Sequence, residues 1–95
     1  MTLDDLLEEV VDQDSFLEFA RALLADKEDE TKKEKLNPSN PYSHGQNGWE
    51  NSSIEGFLES AVAWAEDSNF GEKFQTQDNP WRKFALFLNG GKIYE

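Results

Sequence analysis

The sequence contains no cysteine and a single histidine. The first absence excludes disulfides and thiolate metal sites, and the second excludes the usual multi-histidine metal sites, so we expect no metal and no cofactor. No apolar run approaches the roughly 20 residues that a membrane-spanning helix needs. The acidic N-terminus also lacks the basic segment that opens a secretory signal. The sequence therefore predicts a cytoplasmic protein that does not contact a membrane.

The 95 residues predict one helical domain over 1–95. A chain this short buries only about 60–65 % of its unfolded surface, so its stability margin is thin. The net charge of −11 is concentrated in residues 1–30, where eleven acids and two bases give −9. This acidic third disfavours nucleic acid as a partner and favours basic proteins, although solvated helix faces that aid solubility are the commoner reason for such a charge. We expect a monomer whose partner is a protein.

The stretch 49–67 carries the clearest helix signal. Ser52 and Glu55 have the spacing of a capping box. Apolar residues then recur with a helical period at Ile54, Phe57, Leu58, Ala61, Val62 and Ala65. This stripe predicts an amphipathic helix that buries one face in the core of a small bundle. The expected range is 53–66, with Trp64 packed against a second helix.

Two helices are predicted before this one, over 3–11 and 15–27. Thr2 with Asp5 and Ser15 with Glu18 have the capping-box spacing. An apolar helical period follows each start, at Leu3, Leu6, Leu7, Val10 and Val11, and then at Phe16, Phe19, Ala20, Leu23 and Leu24. A single kinked helix is the alternative, but the polar DQDS cluster between the two stripes favours two helices.

A last helix is predicted over 80–89. Asn79 followed by Pro80 is typical of a helix start, and Gly90-Gly91 is typical of a helix end. The expected buried stripe is Trp81, Phe84, Ala85 and Leu88, with Phe87 beside it. Residues 92–95 are expected to lie as a short extended strap over the bundle. Before this helix, Phe70 and Phe74 are expected to fold back as hydrophobic plugs.

About 25 residues separate the second and third predicted helices, and they show no apolar period. Residues 26–35 are almost wholly charged, and the stretch 36–53 is rich in the proline, glycine and asparagine of turns. We expect residues 26–40 to be a mobile loop and the following part to be ordered by Trp49. Long loops are often functional. The candidate partner-binding residues are therefore Tyr42, His44, Trp49, Glu50 and Asn51.

No recognisable catalytic pattern occurs in the sequence. His44 has no serine or cysteine nucleophile at a known spacing. The stretch beginning at Asp67 lacks the glycine and the final glutamate of a calcium loop. The glycine pairs lack both a phosphate-loop lysine and a dinucleotide fingerprint. The sequence thus predicts a protein that is not an enzyme, and an unfamiliar site around His44, Glu50 and Asn51 is the alternative.

Three blocks of the sequence resemble a bacterial family of small acidic proteins that is classed as a domain of unknown function. They are NGWEN at 47–51, IEGFLESAVAWAEDS at 54–68 and NPWRKFALFLNGGKIYE at 79–95. The tryptophan blocks and the GKIYE ending are the specific part. The resemblance implies a stand-alone single-domain bacterial protein of about this size. It implies no activity and no site residues.

These observations predict an all-α domain of three to four helices, with a long irregular loop between the second and third helices. The leading functional prediction is a non-enzymatic protein-interaction module, whose concrete form is an immunity or antitoxin-like protein that blocks a basic toxin. Its contact surface would be the acidic N-terminal helices or the 37–51 loop. The alternatives are an acidic DNA mimic that binds a nucleic-acid-binding protein, and the enzyme described above.

Overall fold

The computed structural model describes residues 1–38, 45–70 and 79–94. The described residues form helices α1 (Leu3–Glu8), α2 (Gln13–Leu36), α3 (Ile54–Asp67) and α4 (Pro80–Ile93), and these ranges contain no strand. The prediction of a small all-α domain is confirmed. Tyr42, His44 and Phe74, which the sequence singles out, lie outside the described residues.

Helix α4 packs against each of the other three helices, most extensively against α3. Its Ala85 and Leu86 are buried among side chains of α1, α2 and the loop that precedes α3. The buried core consists of Leu7, Val10, Phe19, Leu23, Trp49, Ala85 and Leu86. One core therefore contains residues from both ends of the chain, and α4 is in contact with all three of the other helices.

The first two helices are separate, as the sequence predicts, but α1 ends at Glu8 and not at residue 11. The capping box of Thr2 and Asp5 is present at the start of α1. The box predicted at Ser15 and Glu18 is wrong, because the N-cap of α2 lies three residues earlier, at Asp12. Asp12 caps α2 by accepting from the Ser15 N–H at 2.9 Å, and the Ser15 hydroxyl accepts from the Asp12 N–H at 3.0 Å. Aspartate is as good a cap as serine, so the two patterns compete.

The predicted mobile loop over 26–40 is wrong for residues 26–36, which complete α2. The charged half of this helix has no apolar stripe, and its inner side is hydrogen-bonded to Gln46 and Asn47 of the loop at 45–49. An ion pair of 2.9 Å between Lys33 and Asp29 adds support of the i, i+4 kind. The long connection between α2 and α3 is thereby reduced to residues 37–53.

Helix α3 is capped by Ser53, whose hydroxyl accepts from the Gly56 N–H at 3.0 Å, so the box predicted at Ser52 is wrong by one residue. The predicted buried stripe is also only partly buried. Ala61 is buried, and Phe57 and Trp64 pack against the core. The other half of the stripe is open to solvent, with exposed fractions of 75 % for Ile54, 51 % for Leu58 and 47 % for Val62.

The predicted end of α4 at Gly90-Gly91 and the extended strap after it are wrong, because the helix continues to Ile93. Both glycines are buried in the helix under aromatic rings of α3. A Cβ on Gly90 would lie 2.8 Å from Trp64 Cγ, and one on Gly91 would lie 2.6 Å from Phe57 Cε2. These glycines let two helices approach closely, and their roughly 1 kcal/mol helix penalty is offset by that packing.

The aromatic residues around α4 are placed mostly as predicted. Trp81 packs on Phe16 with ring centroids 5.6 Å apart, and the expected plug Phe70 stacks on Phe87 at 5.6 Å. Phe84 is the exception, because it is exposed while Leu86 takes the buried position. The helical stripe of α4 is thus rotated relative to the prediction.

Candidate functional site

Trp49 fixes the loop before α3 onto the charged half of α2. Its ring is buried, with 6 % of the residue exposed. The indole N–H donates to Asp26 Oδ2 at 2.8 Å, and the backbone N–H donates to Glu30 Oε1 at 3.3 Å. The Asn47 N–H donates to the same Glu30 oxygen at 3.0 Å. Glu30 is only 2 % exposed, so a buried carboxylate serves as the anchor for the loop backbone.

Two lysines complete this contact. The Nζ atoms of Lys27 and Lys92 lie 5.8 and 5.5 Å from the centre of the Trp49 ring, within the range of cation–π attraction. Lys92 also donates to Asp26 Oδ2 at 2.9 Å, which ties the last turn of α4 to α2. Three segments that are distant in sequence therefore meet at Asp26.

Asp29 contributes to the same contact from the exposed side. It accepts from Asn47 Nδ2 at 3.0 Å and pairs with Lys33. These hydrogen bonds, that of Asn47 first, hold the pKa of the Asp29 carboxyl below its ordinary value of 3.8. Together with Asp26 and Glu30, it shows that part of the acidic N-terminal third is engaged within the fold.

The predicted site residues do not form one site. Trp49 belongs to the core. Asn51 donates from Nδ2 to the Gly91 and Tyr94 carbonyls, both at 3.1 Å, and so satisfies the C-terminal end of α4. The Glu50 N–H donates to the Lys92 carbonyl at 2.9 Å, while the residue itself is exposed. The prediction that Tyr42 and His44 take part concerns residues outside the described ranges.

An apolar groove runs between α2 and α3, and its volume is about 490 Å³. Its floor is formed by Leu23, Trp49 and Phe57, which belong to the core or pack against it. One rim is Leu24 of α2, which is 61 % exposed, and the other rim is Ile54 and Leu58 of α3. The α2–α3 groove thus exposes apolar side chains on both sides of a core aromatic pair.

The exposed apolar surface continues along α3 beyond the groove. A second depression of about 410 Å³ lies against Leu58 and Val62, with Glu59 and Glu66 at its edge. Ile54, Leu58 and Val62 are spaced four residues apart, so they form one row along the helix, which we call the α3 row. At about 1.5 Å per residue, this row is roughly 12 Å long.

The sequence contains the residues of the groove but does not predict that they are exposed. The stripe of α3 and the apolar residues of α2 have the same period whether they are covered or open. The width of the α3 stripe adds no signal, because its spacing is the usual one for a helix that buries one face.

The described residues contain no group of three or more histidine and carboxylate side chains placed to hold a metal ion. Among the helices of the described ranges, none combines the length and the apolar character needed to cross a membrane.

No curated protein and no solved structure matches this chain. A family model does match, and it extends over residues 12–95, which include the groove, the loop at 45–51 and all of α4. The chain therefore belongs to a family of unknown function, DUF7660.

Proposed function

We propose that this protein is a non-enzymatic interaction module that binds a partner protein in the α2–α3 groove. The observation that carries this proposal is the exposure of Leu24, Ile54 and Leu58 on two rims above core aromatic side chains. Contiguous exposed apolar surface with a polar surround marks interaction sites in small proteins. In this proposal the protein is a cytoplasmic bacterial monomer that acts as immunity proteins or antitoxins do, by occupying its partner.

The groove is favoured over the two contact surfaces that the sequence suggests. Trp49 and Asn51 of the 37–51 loop bind α2 and α4, so binding a partner through them would dismantle the fold. Asp26 and Glu30 of the acidic third bind the loop. Their engagement also weakens the case for a DNA mimic, which requires carboxylates arrayed freely over one face.

Site-specific photo-crosslinking tests the proposal. A benzophenone amino acid is placed at position 24, at position 58, or at the control position 11, where Val11 is exposed but lies outside the groove. After illumination in the native host, adducts are identified by mass spectrometry. We expect one protein to be crosslinked from positions 24 and 58 and not from position 11. The proposal is wrong if both groove positions give no adduct, or if all three positions give the same set.

A further inference from the structure

We propose that the occupant of the groove is a basic amphipathic α-helix of the partner, with its apolar side on the α3 row and its lysines or arginines against the acids of α3. This inference deepens the proposed function and rests on it. It identifies the chemistry of the partner segment, which the groove alone does not.

The charge of α3 supports a basic partner. The helix carries Glu55, Glu59, Glu66 and Asp67, all exposed, and it has no lysine or arginine. Glu59 and Glu66 lie at the edge of the depression that Leu58 and Val62 line. An incoming segment that covers the α3 row therefore places its flanks beside carboxylates. Basic flanks are attracted there, and acidic flanks are repelled.

The same charges argue against a second copy of this chain as the occupant. Each copy has a net charge of −11 and carries the same acidic α3. A symmetric contact through the groove would bring the two α3 helices together, because such a contact uses the same patch on both copies. Like charges placed beside each other across an interface oppose association.

The shape of the surface supports a helix. The row Ile54, Leu58 and Val62 has the i, i+4 spacing of a helix ridge, and a facing helix packs its own ridges beside such a row. Leu24 stands across the groove on α2 and offers a contact on the other side of the incoming helix. A helix in an apolar groove places its anchors at i, i+3 or i+4, and i+7, which matches a row of about two turns.

The rim on α2 sets the orientation of the partner helix. Around Leu24 the neighbouring exposed positions on the helix surface are Arg21 and Glu28, which are of opposite sign. Lys27 also lines the groove, but its ammonium lies 3.8 Å from Glu30 Oε2 and over the Trp49 ring, so these groups offset its charge. The basic edge of the partner therefore faces α3 and not α2.

Titration with designed peptides tests this inference. The probe is a helical peptide of about 16 residues, long enough for about four turns, with leucines at i, i+3, i+4 and i+7 and lysines elsewhere. A matched peptide keeps the leucines and replaces every lysine by glutamate. Isothermal titration calorimetry with the full chain is expected to show binding of the lysine peptide, and binding at least about tenfold weaker for the glutamate peptide.

Variants of the protein separate docking in the groove from general attraction to a negatively charged protein. Leu24→Ser and Leu58→Ser change exposed side chains and are each expected to lower the affinity for the lysine peptide by about tenfold. The matched control Val11→Ser is expected to leave it unchanged. Glu59→Gln is expected to lower the affinity by a few-fold at low salt and by less at high salt, because exposed charges are screened.

Several outcomes overturn the inference. Equal binding of the two peptides, or unchanged affinity in Leu58→Ser, would exclude a basic helix docked on the α3 row. A dimer that Leu58→Ser dissociates would identify a second copy as the occupant. Binding of the fatty acid dodecanoate without binding of the lysine peptide would identify a small apolar ligand instead. This inference can also fail while the proposed function stands. If photo-crosslinks from positions 24 and 58 map to a partner segment that is not a basic helix, the interaction module stands and this inference is wrong.

Discussion

The two sides of α3 carry similar apolar residues, but one side is buried and the other is exposed. On the side toward α4, Phe57 and Trp64 rest on Gly90 and Gly91, and Ala61 is fully buried. On the side toward α2, the α3 row stands open above the groove. Phe57 and Leu58 are neighbours in sequence, yet one faces a helix and the other faces solvent. Burial is therefore decided by what the neighbouring element allows to approach, and not by the apolar residue itself.

Trp49 explains why the second side stays open. Its indole lies against α2 through Asp26 and packs on Phe57 of α3 with ring centroids 6.2 Å apart. The ring thus occupies the space in which the two helices would otherwise touch. On the α4 side, glycines remove the side chains that would keep the helices apart. The bulky Trp49 thus keeps α2 and α3 apart and creates the groove. Gly90 and Gly91 let α3 and α4 come into close contact, and we call this contact the seam.

The substitutions Phe57→Ala and Leu58→Ala test the difference between the two sides of α3 most directly. Phe57→Ala removes a ring from the seam and from the contact with Trp49, so we expect the free energy of unfolding to fall by about 2–3 kcal/mol. Leu58→Ala removes an exposed side chain and should change it by about 0.5 kcal/mol or less. Urea unfolding followed by circular dichroism measures both. Equal losses would show that the α3 row is covered in solution.

Gly91→Ala tests the closed side. The added Cβ would lie 2.6 Å from Phe57 Cε2, so either the ring or the helix must shift. We expect a net loss of about 1–2 kcal/mol in the free energy of unfolding, because overpacking costs more than the roughly 1 kcal/mol that alanine gains in helix propensity. The same urea measurement serves here. A more stable variant would contradict the close approach of α3 and α4.

Glu30→Gln tests the anchor below the groove. Glutamine keeps the shape of the side chain but offers a neutral acceptor to the Asn47 and Trp49 N–H groups. Hydrogen bonds to a charged group are stronger, so we expect a loss of about 1 kcal/mol in the free energy of unfolding. The exposed Glu28→Gln is the control and should be close to neutral. Faster amide exchange at residues 47 and 49 in Glu30→Gln alone would confirm the anchor, and unchanged exchange would contradict it.

The smallest expected effects come from pH. The hydrogen bonds from Ser15 to Asp12, first from its backbone, hold the pKa of that carboxyl below its ordinary value of 3.8, and those from Thr2 do the same for the pKa of Asp5. A lowered folded pKa stabilises the protein above pH 3.8, and this contribution is lost as the pH falls through the folded pKa. Asp12→Asn keeps a capping residue but removes the titrating carboxyl. We therefore expect its melting temperature to fall less steeply than that of the unmodified protein as the pH is lowered.

Tyr94 acts at the other end of the profile. Its hydroxyl donates to the Asp67 carboxylate, which raises the pKa of Tyr94 above its ordinary value of 10.0. A raised folded pKa stabilises the protein below pH 10.0, and this contribution is lost as the pH rises through the folded pKa. In Tyr94→Phe the melting temperature should therefore fall less steeply as the pH is raised, and its dependence on pH in the acid range should be unchanged. Melting temperatures recorded between pH 3 and pH 11, bounds set about one unit outside these pKa values, check both variants.

Local signals in the sequence predict most of the fold. The starts of α1 and α4 and the separation of α1 from α2 follow from caps and apolar period. The sequence does not predict features that depend on contacts between two distant segments. The charged half of α2 is helical because a distant loop covers it, and Gly90-Gly91 lies inside α4 because two rings of α3 need the space.

The candidate site could be predicted only in part, for the same reason. The apolar residues of the groove are visible in the sequence as two helical stripes. Their exposure depends on where Trp49 places α2 relative to α3, which no local pattern contains. Conversely, Asn51 has the character of a binding residue in the sequence, but its amide is used by the carbonyls of α4.

The contacts of Asp26 connect segments that lie far apart in the sequence. Its partners Trp49 and Lys92 lie 23 and 66 positions further along the chain. Contacts at such separations require large loops to close first, and they form late. The first half of α2 has apolar residues that can collapse early, whereas its charged half has no comparable stripe. We therefore expect weaker protection of amide hydrogens in the charged half of α2 than in its first half.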